Sequence, residues 1–219
     1  MSITMFVEKY MTADPYTIAP QTAISAVALE MSRRKIRHLL VAEVKASGKN
    51  LVGMVSKYDI GRAFPTNFNP FSIEVNEKSV PQPISSIMSR KLITVESNCS
   101  IEEAARILRA RRINALPVLR TGHLAGIITE SDIFAALLTM TGANVPDCKL
   151  VIESTDLHGT LKSLMQLSEQ HHLRIHNLIA SHDNELPDKV VSAIHFASRP
   201  DQRFIQELIR QGFRLLSVD

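Results

Sequence analysis

The segments MTADPYTIAPQTAISAVALEMSRRKIRHLLV (residues 11–41) and MSRKLITVESNCSIEEAARILRARRINALPV (residues 88–118) are one unit written twice, at a constant offset of 77 positions. After a connection four residues longer in the first copy, the register resumes with GMVSKYD (residues 53–59) against GIITESD (residues 126–132). A tandem duplication has to be recognised before any local assignment, because each copy can bury its apolar faces against the other. With this pair as the frame, most of the chain reads as one pseudo-symmetric module with a separate C-terminal domain behind it.

Within each copy the periodicity changes in a fixed order. Short strands are expected at residues 16–18 and 93–95. Ile24, Val27, Ala28 and Met31 then match Ile101, Ala104, Ala105 and Leu108, an apolar face at helical spacing. Ser100 with Glu103 three residues later has the form of a capping box. Strands at residues 39–41 and 116–119 turn back through polar connections into residues 51–55 and 124–128, and second helices come next at 59–64 and 132–138. The order is βαββα, twice.

Residues 65–83, with four prolines and little periodicity, read as a crossing linker, and residues 139–146 as a second boundary. The C-terminal third has its own pattern. A strand at 150–152 leads through a turn at 156–159 into a helix carrying Leu161, Leu164, Met165 and Leu167. Strands at 173–180 and 189–197 flank a turn-rich stretch at 183–188. A helix with Phe204, Ile205, Leu208 and Ile209 stops at Gly212 before a last strand at 213–218. That is βαββαβ, the ferredoxin-like order. The expected division is 1–64 for the first repeat, 65–83 for the linker, 84–140 for the second repeat and 147–219 for the last domain, in an α+β chain.

Composition narrows the function. The 219 residues are 45% apolar and 21% charged, enough to bury a core in each domain, and 25 basic against 22 acidic side chains leave a net charge of only +3. That imbalance is too small for a polybasic nucleic-acid surface. Two cysteines, Cys99 and Cys148, make no disulfide framework and suit a reducing compartment. No apolar run approaches membrane-spanning length and the opening residues lack the form of a signal peptide, so a cytoplasmic location without membrane attachment is expected. The sequence carries no G-x-S-x-G elbow, Walker loop, H-E-x-x-H or dinucleotide fingerprint, so no enzyme, catalytic residue or required cofactor is expected. Cys99 opens a helix, where a thiol pKa can fall, but it has no recognisable base partner. His171, His172 and His176 straddle a helix-to-strand change and are read as surface or satisfied histidines, not metal ligands.

The strongest chemical signal is the pair Ser56/Asp59 and Thr129/Asp132, each preceded by a glycine, Gly53 or Gly126. A carboxylate one turn into a helix can accept two hydrogen bonds from a ribose-type diol, and the hydroxyl with free backbone N–H groups can hold phosphate at the helix start. The competing reading is a capping box with no ligand. A Cβ-free glycine would let backbone or ligand approach closely. Cations recur after the first helix of each copy: Arg33, Arg34 and Lys35 with Arg37 and His38, then Arg109, Arg111 and Arg112. A helix C-terminus favours cations in any case; phosphate capture is the functional reading. In the last domain, Gly159 at the strand-to-helix turn would expose N–H groups to a carboxylate, with Asp156 as an alternative N-cap.

These residues carry a resemblance. The doubled G-x-x-[ST]-x-x-D, with L-P-V ending the inner strand of the second copy, resembles a tandem pair of cystathionine-β-synthase (CBS) domains, or Bateman module. The C-terminal third, with DLHGTL at residues 156–161, is similar to an ACT domain, and the order CBS, CBS, ACT resembles the acetoin-utilisation type of regulatory protein. The resemblance implies that Asp59 and Asp132 contact ribose, Ser56 and Thr129 stand near phosphate, and Thr17 and Thr94 stand near the base. It places Arg37 and His38, aligned with Asn114 and Ala115, on the inner strand near phosphate. The two clefts are thereby expected to differ, because only the first copy is cationic there. Where many members carry a basic residue before the Asp, this chain has Tyr58 and Ser131. The ACT resemblance makes Asp156, His158 and Gly159 the expected effector turn; His158 stands where ACT domains usually carry proline, a departure that counts against a ligand there, and a purely dimerising domain is the alternative. The implied ligand is AMP, ADP, ATP or S-adenosylmethionine, the implied assembly a homodimer, and the implied role control of a partner enzyme. A scaffold whose modules only associate is the alternative.

Overall fold

In a computed structural model, residues 5–45, 48–64, 82–143, 148–182 and 188–219 are described, and most of the expected linker and of the turn at 183–188 lies outside them. The chain divides into two compact units, residues 1–136 and 137–219. In the first, the first repeat comprises β1 (Thr12–Ala13), β2 (Thr17–Ile18), α1 (Ile24–Arg33), β3 (His38–Lys45), β4 (Gly48–Ser56) and α2 (Lys57–Ala63). The second comprises β5 (Val95–Glu96), α3 (Ile101–Arg111), β6 (Ala115–Arg120), β7 (His123–Thr129) and α4 (Glu130–Met140). The apolar face read from the sequence is the buried one: Ile24, Val27, Ala28 and Met31 are fully buried on α1, as are Ile101 and Ala104 on α3. The four extra residues of the first copy lengthen the hairpin instead of the loop. Glu43, Val44 and Lys45 pair with Asn50, Lys49 and Gly48, since each added residue finds a ladder partner. In the second copy the turn is Thr121–Gly122, both at positive φ as a two-residue hairpin requires.

The repeats exchange their opening segments. β1 joins the sheet of the second repeat, in the order β1-β7-β6-β5, while the equivalent Ser89 bridges to Met54 at the edge of β2-β3-β4. Short 3-10 helices at Val7–Lys9 and Ile84–Ser86 belong to the same exchange. Ile24 N–H donates to the Gln82 carbonyl and Ile101 N–H to the Met5 carbonyl, so each first helix has an orphan terminal donor satisfied by the segment that leads into the other repeat. This is why α1 needs no side-chain cap on Ala23. Ser100 does cap α3 by accepting from Glu103 N–H, but the box is not reciprocal: the Glu103 carboxylate pairs with Arg106, and Ser100 bridges to Phe6 through its backbone.

Proline explains a one-residue difference between the copies. Met54 spends its N–H and C=O on Ser89, so the facing Leu40 turns its own toward β2, and the parallel ladder includes Thr17 with Leu40. Pro117 stands where Leu40 would, has no N–H to donate, and the β5–β6 ladder begins at Val95 with Val118.

The glycines of the doubled motif serve this exchange and not the approach of a ligand. A Cβ on Gly53 would lie 2.5 Å from Met88 Sδ, and one on Gly126 2.4 Å from Met11 Sδ and 3.0 Å from the Thr12 carbonyl oxygen. Gly126→Ala is expected to cost about 1–3 kcal/mol by overpacking. Gly53→Ala should cost less, because only a methionine side chain has to move there. Urea unfolding of both variants, with Met11→Ala as a rescue of Gly126→Ala, checks this: no rescue would mean that the methionine does not set the requirement.

The second unit contains β8 (Cys148–Ser154), α5 (Leu157–Gln170), β9 (Ile175–His182), β10 (Val190–Phe196), α6 (Gln202–Arg210) and β11 (Arg214–Val218), the expected βαββαβ order. Its sheet runs β11-β8-β10-β9, antiparallel throughout. Leu150, Ile152, Ile194 and Phe196 from the sheet pack on Leu164, Leu167, Phe204 and Leu208 from the helices. Asp201 caps α6 through Phe204 N–H, and Gly212 at φ 93° ends it, as its position in the sequence predicts. Of the apolar residues expected on α5, Leu161 and Met165 are exposed instead; the buried stripe is Thr160, Leu164, Leu167 and Ser168. Among the described residues, no helix is long and apolar enough to cross a membrane.

Candidate functional site

Both halves of the doubled motif form the same local structure at the strand-to-helix corner. Asp59 Oδ2 accepts from Ser56 N–H at 2.8 Å and Ser56 Oγ at 2.7 Å, while Asp59 N–H donates to Ser56 Oγ at 3.2 Å. Asp132 Oδ2 accepts from Thr129 N–H at 2.8 Å and Thr129 Oγ1 at 2.7 Å, and Asp132 N–H lies 3.4 Å from Thr129 Oγ1. The capping reading therefore holds for one carboxylate oxygen. Oδ1 of each aspartate makes no hydrogen bond among the described residues. Both side chains are half-buried, so a ligand could reach that oxygen from a cleft.

Each corner opens on a cleft completed by the inner strand of the other repeat. A cavity of about 490 Å³ brings Thr129 and Asp132 together with Tyr16, Lys35, Arg37 and His38. A second, of about 580 Å³, brings Ser56 and Asp59 together with Arg112, Asn114 and Ala115, and Arg37 and His38 reach it as well. The inner-strand cation of the first repeat thus reaches the aspartate of the second as well as its own. Arg37 Nη2 donates to Ser131 Oγ at 2.7 Å across 94 positions of sequence, which sets a guanidinium beside the residue that precedes Asp132.

Electrostatics changes the expected character of the Arg37/His38 pair. Burial holds the His38 pKa below its ordinary value and the adjacent Arg37 lowers it further, against Asp59 and Glu130, which raise it. His38 is neutral at neutral pH, so the cationic character of the inner strand rests on Arg37 alone. Thr17 and Thr94 line neither cleft: Thr17 stays in β2, and Thr94 faces a separate cavity beside Lys49, Arg90 and His123. Tyr16 lines the first cleft where Thr17 was expected, with the Arg34 guanidinium 3.7 Å from its ring centroid. Its signal in the sequence was an aromatic residue ahead of a short strand, with no spacing to separate it from a core residue.

In the second unit, Asp156 and Gly159 line a polar cavity of about 320 Å³ with Glu153 and Arg214, and His158 does not line it. The N–H groups expected to receive a carboxylate are already taken. Asp156 accepts from His158 N–H at 3.0 Å and Gly159 N–H at 2.8 Å, so the alternative N-cap reading is the one found. Gly159 is required by that cap, because a Cβ there would lie 2.4 Å from Asp156 Oδ2. His171 bonds Glu207 and stacks edge-on against Phe204, and the described residues hold no cluster with the composition of a metal site. Burial raises the Cys99 thiol pKa and Glu103 raises it further, the reverse of what its helix-start position suggested.

Comparison with known proteins gives this arrangement relatives. Inosine-5'-monophosphate dehydrogenase of Thermoplasma acidophilum is 35% identical over 127 residues, 58% of this chain but only 22% of that enzyme. The crystal structure of CBSX2 in complex with AMP superposes with a TM-score of 0.50 at 26% identity, over 61% of this chain and 96% of the other. An acetoin utilization protein (AcuB) from Vibrio cholerae superposes with a TM-score of 0.52 at 23% identity, over 65% of this chain and 98% of the other, which speaks for the fold alone. The family model of the CBS domain matches residues 7–65 and 84–139, more than half of the chain and both copies of the repeat, and the chain belongs to the CBS-domain family.

Proposed function

We propose that the CBS pair is a regulatory module that binds an adenosine-type nucleotide in the clefts between its repeats. The observation that carries this reading is the doubled corner, where an aspartate caps its helix with one oxygen and keeps the other for a ligand, facing cations from the opposite repeat. That combination suits a ribose diol and a phosphate together. The AMP complex of CBSX2 supports adenine nucleotide as the class, and S-adenosylmethionine stays in the same class by virtue of its adenosine. The ligand acts by stabilising one packing of the repeats and so changing the surface offered to a partner enzyme.

The second unit, which we read as ACT-like, is proposed to associate and not to bind an effector. The anion position at its helix start is filled by Asp156, and Leu161 and Met165 leave apolar surface on α5. A homodimer in the cytoplasm is the proposed working form. Thermal melting of the full chain against AMP, ADP, ATP, NAD, S-adenosylmethionine and amino acids tests both halves. A ligand at one hundred times its dissociation constant adds about 2.7 kcal/mol to the folded state. No shift with any nucleotide would leave the scaffold reading, and a monomer by light scattering of the same samples at micromolar concentration would count against the dimer.

A further inference from the structure

Lys35 and Arg112 occupy equivalent places just after α1 and α3, and both have left-handed backbone, at φ 55° and 53°. At this helix-terminal position glycine is the usual occupant, because a Cβ there crowds the following carbonyl oxygen. The chain itself uses glycine after α6, where Gly212 is at φ 93°. Strained residues that persist in both copies of a duplication ask for a reason outside the fold. Both positions hold a long cation, and both cations line a cleft: Lys35 the one with Thr129 and Asp132, Arg112 the one with Ser56 and Asp59. Of the neighbouring cations, Arg33 and Arg34 are engaged with Glu30 and Arg106 with Glu103, and Arg109 and Arg111 line neither cleft. The side chains of Lys35 and Arg112 make no hydrogen bond or ion pair among the described residues and are exposed.

We propose that Lys35 and Arg112 are the phosphate-capturing cations of the two clefts, and that both copies retain a left-handed non-glycine residue in order to present them. The inference rests on the nucleotide reading and adds which residues take the phosphates. It also explains why these two sites forgo glycine. His172, left-handed after α5 at φ 52° and lining neither cleft, is the internal control.

The test uses the full chain with Lys35→Gly, Arg112→Gly, Lys35→Arg and His172→Gly, titrated calorimetrically with ATP, AMP and inorganic tripolyphosphate, and melted without ligand. Lys35→Gly and Arg112→Gly are each expected to weaken ATP and tripolyphosphate about tenfold at the affected cleft, the loss of one charged hydrogen bond. Their melting temperatures should be no lower than that of the wild type, since glycine relieves the left-handed strain. Lys35→Arg should retain binding and His172→Gly should leave it unchanged. Unchanged affinity in both glycine variants, or a lowered melting temperature that marks the side chains as structural, overturns the proposal. A wild type that binds tripolyphosphate but neither nucleotide would sink the adenosine reading and leave this inference standing. A wild type that binds none of the three sinks both.

Discussion

Asp132→Asn is expected to weaken AMP binding at its cleft by about 10- to 100-fold while leaving the stability of the chain nearly unchanged. The asymmetry comes from the division of labour between the two carboxylate oxygens. Oδ2 accepts from the N–H and hydroxyl of Thr129, and an asparagine carbonyl oxygen can accept the same two bonds. The second atom changes from a charged acceptor to an amide donor, and a diol that donates to it loses a charged hydrogen bond worth about 1.5–3 kcal/mol. Asp132→Ala removes the cap as well and should cost roughly a further 1 kcal/mol of folding stability. The Asp59 pair of variants should act in the same way on the other cleft. Calorimetric titration together with melting separates the two roles. If Asp132→Asn binds AMP like the wild type and Asp132→Ala loses only stability, the aspartates are caps and nothing more.

Phe204→Ala should be the most damaging of these substitutions to stability, at about 3–5 kcal/mol. Phe204 is fully buried and meets Phe196 edge-on at 5.4 Å and the His171 ring at 5.5 Å between centroids. It joins α6 to the sheet of the second unit, in a core that includes Leu150, Ile152, Leu164 and Ile194. A ladder-bonded sheet cannot close over the space left by a ring, so the cavity cost adds to the lost transfer energy. Ile209 on the same helix is 53% exposed, and Ile209→Ala should stay within roughly 0.5 kcal/mol of the wild type. The chain has no tryptophan, so urea unfolding is best tracked by far-ultraviolet circular dichroism. A loss below about 1 kcal/mol for Phe204→Ala, or equal losses for the two variants, would contradict the packing described for this helix.

The sequence by itself determined whatever depends on neighbours a few residues apart. The duplication, the alternation of strand and helix, the buried stripe of α1, the caps at Ser56, Thr129, Asp156 and Asp201, and the stop at Gly212 are set by hydrogen bonds and side-chain spacings within about one turn of helix. The family could be recognised for the same reason, since its signature lies in a seven-residue corner repeated once. Tertiary structure alone decided which distant residues meet. Nothing in the sequence around Gly53 or Gly126 shows that a methionine from the other repeat needs the missing Cβ. Arg37 reaches Asp132 as well as its own repeat's Asp59 because the inner strand of each copy completes the cleft of the other. Thr17 and Thr94 line neither of the two clefts, and a two-residue strand gives no independent signal of which way it faces. The exchange of opening segments governs several of these outcomes. It unites the two repeats through backbone bonds such as Ile24 to Gln82 that no local pattern encodes, whereas the caps and stops close within a single turn.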